Sequence, residues 1–391
     1  MNIIDEAYRE AIKVLEHCAK PVGFYASGLP GGYEAVWARD SMIASLGASL
    51  AGKKFKTAFA KSLILLSRHQ TDLGLIPNAV GSYNIERKSD ITFNSIDSNL
   101  WYIIGHHVYR RAYADNSLFK KYRKNIEKAL LWLKYQDPNA DSLIVQQPTG
   151  DWQDAFPHKY GRVINTLALY YAALRMEKEM KLANHVRRVI NGEIEQYLSL
   201  YDKKRGYYLP WIWKSHETDR EQEEWFDALG NLLAIVSGLA TPQIANSIVR
   251  YIERKKINRP YPCKAIYPPI RRKDREWRSY FSLCDAKTSY HYLNAGIWPM
   301  IGGFYVAALV KTGQIGKARR ELELLAEANR KVGGDAFRQG LKKTDKWGFQ
   351  EWLHGLSGKP LPHSNPYQAW SAGMYLYAYE CVKRKKALFF E

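Results

Sequence analysis

The stretch WGFQEWLHGLSGKPLPHSNPYQAWSA, residues 347–372, is an aromatic-rich loop that leads into an apolar helix. Its one acid, Glu351, lies between aromatic residues in a segment rich in glycine, proline and histidine. Such a loop can hold a carboxylate over a cleft, with aromatic walls for a sugar ring. It can equally hold an acid capped by backbone N–H groups beside core tryptophans, because isolated acids are common and catalytic ones few. The stretch therefore predicts helices whose connecting loops carry any functional site.

Helical periodicity dominates the rest of the chain and predicts an all-α fold. Boundary residues agree, because Thr241-Pro242 is typical of a helix start and Gly52 of a helix end. Strand-like sequence is scarce, and residues 206–213, GYYLPWIW, are the best candidate for a short hairpin. The twelve predicted helices lie near residues 3–18, 39–51, 54–69, 96–114, 117–135, 162–179, 181–198, 222–239, 242–255, 293–312, 314–331 and 366–383.

Long irregular segments separate these helices near residues 71–95, 137–161, 256–290 and 332–365. Loops longer than about 15 residues in a compact domain are usually functional or disordered. These segments are rich in Trp, Tyr, Pro and Asn, which disordered segments generally are not. We therefore expect a single helical domain, residues 1–391, whose loops build a site at one end.

The composition fits a large core and raises a question about charge. Of the 391 residues, 46% are apolar and 13% aromatic, and the 12 Trp and 27 Tyr also suit stacking on flat sugar faces. The formal net charge of +19 raises nucleic acid, anionic lipid or an acidic substrate as partners. Outside the runs at 271–278 and 383–386, however, the basic residues are scattered over the predicted helices. We interpret this charge as solvated surface and expect no nucleic-acid partner.

The cysteines and the N-terminal segment indicate a compartment. The four cysteines lie far apart without CxxC or Cys/His spacing, which argues against a zinc site or a disulfide framework and fits a reducing cytosol. The first 20 residues form an amphipathic, charged pattern that lacks the apolar run of a signal peptide. No stretch approaches the roughly 18 apolar residues of a membrane span. We expect a cytoplasmic protein with no metal, no organic cofactor and no membrane partner.

Two polar pairs lie where helices are predicted to begin. Arg39 and Asp40 close the segment 33–41 and offer a fork of donors beside a carboxylate acceptor, the pair that grips neighbouring hydroxyls of one sugar ring. The alternative is a carboxylate that satisfies a helix N-terminus beside a surface arginine. Asp97-Ser98 is typical of a helix cap.

A second acidic loop, TGDWQDA, covers residues 149–155. Asp154 lies between Trp152 and Phe156, in surroundings able to raise its pKa and keep it protonated as an acid, and Asp151 is the competing candidate. Hydrolysis of a glycosidic bond needs two carboxyl groups, one that gives a proton and one that activates water or attacks the sugar. Asp154 and Glu351, each bordered by aromatic residues, are the candidates for these two roles.

Several motifs, in order along the chain, resemble two known families. VWARDSMIASLGASLAG, GLIPN, IDSNLWY and DWQDAF with GRVINTLALYYAAL resemble the catalytic domain of amylo-α-1,6-glucosidases, the glycogen-debranching type. FDALGNLLAIVSGLATP, YHYLNAGIWP and FQEWLHGLSGKPLPHSNPYQAWSAG are more similar to the neutral/alkaline invertases, which cleave sucrose. The resemblance covers roughly residues 20–385. It implies the (α/α)6 barrel of six helical hairpins that both families share, with loops at one end forming the cleft.

Carried over position by position, the resemblance implies that Asp154 is the general acid and Glu351 the second carboxylate. It also implies a departure at Asn165, which follows Val163-Ile164 where both families have a glutamate after Pro-Leu or Pro-Val. This loses a carboxylate near the expected sugar subsite. The resemblance implies ring binding by Arg39 and Asp40 and a cleft tryptophan at Trp298, and it places Gln368 and Trp370 in the closing motif. The full set of expected substrate-binding residues is Trp37, Arg39, Asp40, Asp97, Trp152, Asn294, Trp298 and Gln368.

The sequence therefore predicts an inverting glycoside hydrolase that acts on an α-glucoside, with Asp154 as general acid and Glu351 as general base. The substrate is an oligosaccharide or α-glucan on the first resemblance and sucrose on the second, and the motifs do not choose between them. A catalytically inactive carbohydrate-binding protein on the same scaffold, a nucleic-acid-binding helical protein and an isomerase or lyase are the other classes left open. The sequence gives no oligomeric state.

Overall fold

The computed structural model describes residues 2–81, 89–215 and 220–390. Within these ranges the thirteen α-helices are α1 Ile3–Cys18, α2 Ala38–Ala48, α3 Lys56–Arg68, α4 Asp97–Tyr113, α5 Ser117–Lys121, α6 Arg123–Lys134, α7 Ile164–Met176, α8 Met180–Ile190, α9 Ala228–Ser237, α10 Pro242–Arg254, α11 Pro299–Lys311, α12 Ile315–Asn329 and α13 Ala369–Arg384.

Six of the described helices form a closed inner ring. Each contacts the next in the order α2, α4, α7, α9, α11 and α13, and α13 returns to contact α2. The outer helices α1, α3, α6, α8, α10 and α12 each pack against this ring. This arrangement of paired inner and outer helices confirms the expected (α/α)6 barrel.

The sequence of each helix explains its layer. Every residue of α9 is buried, and in α11 only the last residue is not, because both helices are apolar on all sides. By contrast, α10 buries Ile244, Ala245, Ile248, Val249 and Ile252, which lie on one face at helical spacing, and Tyr251 beside them. Helices that are apolar all round therefore line the centre, and amphipathic helices cover them.

Glycine allows the ring to close. Helix α2 meets α13 where Gly47 faces Gly373, and a Cβ atom placed on Gly47 would lie 1.7 Å from the carbonyl oxygen of Gly373. Any larger residue would push the two helices apart, because the obstructing atom belongs to the backbone and cannot rotate away. The first and last helices of the ring are therefore held in backbone contact.

Short strands join the loops at the ends of the helices. The described strands are β1 Ala19–Lys20, β2 Gly23–Phe24, β3 Val36–Trp37, β4 Ala79–Val80, β5 Ile91–Thr92, β6 Arg162–Val163, β7 Tyr201–Asp202, β8 Tyr207–Tyr208, β9 Trp211–Ser215, β10 Arg220–Gln222, β11 Phe226–Asp227 and β12 Ile266–Tyr267. All their pairings are antiparallel.

The hairpin expected within residues 206–213 is wrong. Strand β8 pairs with β7, and strand β9 pairs with β6 and β10, so the two halves of the expected hairpin pair with other segments. Pro210, which has no N–H to donate, lies between the halves.

Most predicted helices agree with the structure to within a few residues. The main differences are that 117–135 divides at Tyr122 into α5 and α6, that 181–198 ends already at Ile190, that 222–239 begins only at Ala228 after strand β11, and that 293–312 begins only at Pro299. Proline fits the first turn of a helix, where its missing N–H is not needed. Across the described residues, the helices are all too short or too polar to cross a membrane.

Candidate active site

The expected site residues lie where the inner helices begin. Trp37 precedes α2, the loop with Trp152 and Asp154 precedes α7, Trp298 precedes α11, and Glu351 lies in the loop before α13. These positions share one end of the barrel, because residues from all four line a single cavity. The amino ends of helices carry partial positive charge, so this end favours carboxylates. One cavity of about 130 Å³ opens there, lined by Ala26, Tyr33, Trp37, Arg39, Asp40, Trp152, Asp154, Tyr292, Trp298, Glu351 and Trp370.

The Arg39 guanidinium is the central cation of this cavity. Its Nη1 atom lies 3.2 and 3.1 Å from the two carboxylate oxygens of Asp97, and its Nη2 atom lies 3.7 Å from Oδ2 of Asp154. Its Nε atom lies 4.0 Å from Oδ2 of Asp40. Burial by itself would lower the pKa of Arg39, but the three aspartates outweigh it and raise that pKa. One buried cation therefore faces three carboxyl groups and cannot neutralise them all.

Asp154 faces the cavity, with 36% of its side chain exposed. Desolvation in the cleft raises the pKa of Asp154 to about 6, although the guanidinium of Arg39 opposes the shift. The neighbouring carboxylates of Asp97 and Asp151 add to the shift. Asp154 therefore holds its proton to a higher pH than an ordinary aspartate, as an acid catalyst must near neutrality.

Glu351 is more deeply enclosed, at 4% exposure. Its backbone N–H donates to the carbonyl of Asn365 (2.8 Å), and the Tyr33 hydroxyl lies 3.4 and 3.5 Å from its two carboxylate oxygens. Burial and the negative charge of Asp40 raise the pKa of Glu351 to about 8, against hydrogen bonds to its carboxylate from the backbone and side chain of Asn365 and from Tyr33, which lower it. Glu351 is therefore the stronger base of the two expected carboxyl groups.

Asp40 is a third carboxyl group in the same cavity. Burial raises its pKa to about 7, Arg39 opposes the shift, and the charge of Asp154 adds to it. Near neutral pH its carboxyl can therefore both donate and accept hydrogen bonds.

Aromatic side chains wall the cavity. Trp298 is the centre of the group, with its ring 5.4 Å from Trp152, 5.8 Å from Trp370 and 5.3 Å from Tyr292 between centroids. Its Nε1 donates to the carbonyl of Tyr292 at 3.0 Å, which fixes the ring. Apolar walls around ionisable groups exclude water and strengthen each electrostatic interaction inside.

Three expected binding residues do not line the cavity. Asp97 is fully buried behind Arg39 and holds it in place. Asn294 is also fully buried, and its amide bonds the backbone of Ile270 and Ala286, so it ties two loops together. Gln368 is also fully buried, and its backbone N–H donates to the carbonyl of Phe349 at 3.0 Å.

The structure separates the two candidates of the second acidic loop. Asp151 is fully buried, and its Oδ2 lies 2.8 Å from Nζ of Lys159, so it does not face the cavity. Lys159 is itself fully buried and also contacts Oε1 of Gln153 at 2.6 Å and Oδ2 of Asp227 at 3.4 Å. The loop around Asp154 is thus tied by Lys159 to Asp227, the N-cap of α9.

Sequence reasoning missed this lysine and two cavity tyrosines. Tyr33 opens the segment 33–41, and Tyr292 lies in the motif YHYLNAGIWP, so both could have been found as aromatic neighbours of expected residues. Nothing in the spacing of Lys159 marked it as buried.

Asn165, the departure from the family pattern, lies outside the cavity lining. It is 1% exposed, and neither polar atom of its side chain has a hydrogen-bond partner within the described residues. No group of three or more His, Cys, Asp or Glu side chains among the described residues is arranged to hold a metal ion.

Comparison of the sequence with known proteins identifies relatives. A family model described as amylo-alpha-1,6-glucosidase matches residues 16–377. Cytosolic invertase 1 of Oryza sativa subsp. japonica is 35% identical over 158 residues, which are 39% of this chain and 25% of that protein. Probable alkaline/neutral invertase F of Arabidopsis thaliana is 27% identical over 347 residues, which are 72% of this chain and 63% of that protein. The chain thus spans less than two thirds of either relative.

Solved structures share the fold. A GH63 mannosylglycerate hydrolase from Thermus thermophilus, in complex with glucose, superposes with a TM-score of 0.66 at 13% identity, over 95% of this chain and 99% of that chain. A rhamnosidase from Klebsiella oxytoca superposes with a TM-score of 0.63 at 14% identity, over 97% of this chain and 64% of that chain. At this identity the likeness concerns the barrel alone.

Proposed function

The chain belongs to the amylo-α-1,6-glucosidase family, and from that premise we propose that it hydrolyses an α-glucosidic bond with inversion at the anomeric carbon. The observation that carries the proposal is the cavity of about 130 Å³ that Asp154 and Glu351 both line. One water molecule needs roughly 10–15 Å³ of such space, so the cavity has about ten times that volume. This supports a site for one sugar ring.

In this proposal Asp154 protonates the leaving oxygen. Its raised pKa keeps the proton available, and its partial exposure at the cavity leaves room for the leaving group. Arg39, at 3.7 Å, stabilises the aspartate after the proton has left. Glycosidases usually pair a carboxylic acid of raised pKa with an ionised carboxylate. Here Glu351 has the higher pKa, so the arrangement with the proton on Asp154 and Glu351 ionised is the minor singly protonated form.

Glu351 acts as the general base for the attacking water. Its pKa of about 8 makes it a strong base once ionised, and the Tyr33 hydroxyl stabilises that ionised form. Inversion needs about 6.5–9.5 Å between the two carboxyl groups, so that a water molecule fits between Glu351 and the sugar.

Arg39 and Asp40 bind hydroxyl groups of the same ring, and Trp37, Trp152 and Trp298 wall it. The guanidinium supplies donors, and the Asp40 carboxyl supplies an acceptor or a donor according to its proton. Asp97 contributes by holding Arg39 rather than by touching the sugar.

The proposed substrate is an oligosaccharide or an α-glucan, as the family description suggests. Sucrose is the second candidate, because the segment of 158 residues that is 35% identical to cytosolic invertase 1 favours an invertase activity. Asn165 does not decide this choice, because the resemblance gives both families a glutamate at that position.

One experiment tests the proposal and chooses between the substrates. The purified protein is incubated with sucrose, maltose, isomaltose, trehalose and a limit dextrin, and the released sugar and its anomer are followed by NMR. We expect β-glucose as the first product from one class of substrate. Sucrose and the limit dextrin report the anomer, because their leaving groups are not free glucose, and α-glucose as the first product from either would refute inversion. No release from any of the five substrates would refute the hydrolase.

A further inference from the structure

A second cavity of about 230 Å³ lies outside the candidate active site. It opens between the end of α6, the segment 93–96 and the segment 145–150, and it shares no lining residue with the first cavity. It is the larger of the two, and none of the proposed catalytic steps uses it.

Backbone hydrogen bonds fix the walls of this second cavity. The N–H of Val145 donates to the carbonyl of Gln136 at 2.8 Å, and the N–H of Ile96 donates to the carbonyl of Gly150 at 2.8 Å. Gln146 exchanges two backbone hydrogen bonds with Gly161, at 2.9 and 3.0 Å. The three segments are thus tied to one another or to the barrel, and the cavity is preformed.

A buried amide in the wall lacks a partner. Gln146 is 4% exposed, and its Oε1 accepts a hydrogen bond from the Thr166 hydroxyl, which sets the orientation of the amide. Its Nε2 then has no hydrogen-bond partner in the described part of the chain. Less than 1 Å² of this nitrogen is accessible, so protein atoms enclose it, and a molecule in the cavity would have to bond other polar groups of the lining.

The rest of the lining defines the chemistry of such a molecule. Phe93, 40% exposed, and Trp132 offer aromatic surface, and Gln147 and Asn94 add exposed amides. Among the described residues that line the cavity, none carries a charged side chain. Aromatic surface combined with amides and without charge suits a neutral molecule with apolar faces and many hydroxyl groups.

We propose that this cavity is a second carbohydrate site, which binds a neutral sugar unit separately from the candidate active site. The sugar stacks on Phe93 and Trp132, and its hydroxyl groups bond the exposed amides of Asn94 and Gln147. The choice of a glucoside as the ligand rests on the proposed function, whereas the existence of the site rests on the lining of this cavity.

A hydrogen bond between Ser95 and Arg39 connects the linings of the two cavities. Ser95 lines the second cavity, and its hydroxyl donates to the Asp97 carboxylate and accepts from Nη1 of Arg39 at 3.4 Å. Arg39 lines the first cavity. A sugar on Ser95 therefore lies next to the residues that hold the catalytic cation.

Fluorine NMR of protein labelled with 5-fluorotryptophan resolves the two sites. The Asp154→Asn variant strongly slows turnover. Loss of one signal in a further Trp132→Phe or Trp37→Phe variant identifies the Trp132 and Trp37 resonances. Maltose and sucrose are then titrated. We expect the Trp132 signal to move with the sugar concentration along a curve distinct from that of the Trp37 signal, which reports on the first cavity.

Phe93→Ala and Tyr135→Ala form the matched pair of variants. Phe93 is exposed, so its loss should leave the fold intact, and the dissociation constant read from the Trp132 signal should rise roughly 3- to 10-fold, while the Trp37 curve stays unchanged. Tyr135, 76% exposed and just beyond α6, does not line the cavity, and Tyr135→Ala should change neither curve.

The result that overturns the second site is a Trp132 signal that stays still at sugar concentrations that saturate the Trp37 signal, or that gives the same curve in the Phe93→Ala variant. Failure of the proposed function is separate, because it concerns release of sugar by the wild-type protein. Movement of the Trp132 signal without any hydrolysis would support the second site and refute the hydrolase.

Discussion

Replacing Asp154 by asparagine should change the shape of the pH profile of hydrolysis. With the pKa of Asp154 at about 6 and that of Glu351 at about 8, the pair holds a single proton between these values. The reaction needs one proton on the pair, so kcat/KM of the wild type should follow a bell with limbs near these two values. Its maximum should lie between them.

The position of that single proton sets the fraction of enzyme molecules that can react. Because Glu351 has the higher pKa, the proton resides mostly on Glu351, whereas hydrolysis needs it on Asp154. The difference of the two pKa values implies that roughly one singly protonated molecule in a hundred has the productive arrangement. The pH profile of kcat/KM therefore reports a minor protonation form of the free enzyme, in which Asp154 carries the proton.

The assay compares two leaving groups. Maltose needs a proton on its leaving oxygen, so Asp154→Asn should lower kcat/KM for maltose by roughly 10²- to 10⁴-fold. A nitrophenyl α-glucoside releases a phenolate that needs no proton, so most of its rate should survive. For this substrate the profile of the variant should rise with pH through about 8 and then stay level, because only Glu351 must still lose its proton.

Glu351→Gln is the control, and it should abolish hydrolysis of both substrates. The reasoning is refuted if the Asp154→Asn variant keeps a bell on the nitrophenyl substrate or if its profile turns near pH 6. If the Glu351→Gln variant still hydrolyses the nitrophenyl substrate and the Asp154→Asn variant does not, then Glu351 is the general acid and Asp154 the general base.

Three further changes test stability. Lys159→Met leaves two buried aspartates without their cation and should lower the free energy of unfolding in urea by about 3–5 kcal/mol, with partial recovery on adding Asp227→Asn; unchanged stability would contradict the buried ion cluster. Because the folded pKa of Glu351, about 8, exceeds its ordinary value of 4.5, its contribution to stability is present at low pH and lost as the pH rises through about 8. Between pH 4.5 and about 8, the free energy of unfolding of Glu351→Gln should therefore rise by up to roughly 5 kcal/mol relative to the wild type. The same stability difference between variant and wild type at acid and alkaline pH, measured by thermal unfolding, would disprove this. Gly47→Ala places a methyl group against a backbone carbonyl and should cost about 1–3 kcal/mol or more in thermal unfolding, whereas its control Gly316→Ala, in open space on α12, should gain up to about 1 kcal/mol; a loss in both would refute the packing argument.

The strand pairings show where reading along the chain fails. Most described strands are two residues long, and each exists because a partner supplies the hydrogen bonds, from a nearby segment for β7 and β8 and from a distant one for β6 and β9. Residues 206–213 have strand-like composition, but composition does not name the partner, so the hairpin placed there was wrong.

The candidate site shows the same limit at the level of single residues. Asp151 and Asp154 are equivalent candidates in the sequence. Lys159, fully buried between Asp151 and Asp227, pairs with Asp151, and Asp154 is left to face the cavity. Asn294 lies in a family motif, yet its side-chain amide bonds the backbone of Ile270 and Ala286 and does not line the cavity. Neither outcome follows from spacing, because each depends on a residue that arrives from another part of the chain.

The sequence by itself determined that the chain is helical, which helices are apolar all round, and which loops carry the carboxyl groups. These follow from hydrophobic period and residue identity, which are local properties. Only the tertiary structure decided that the ring closes through Gly47 and Gly373, and that Arg39 is shared by three aspartates. It also decided the raised pKa values of Asp154 and Glu351, because burial and neighbouring charge depend on contacts between residues far apart in the chain.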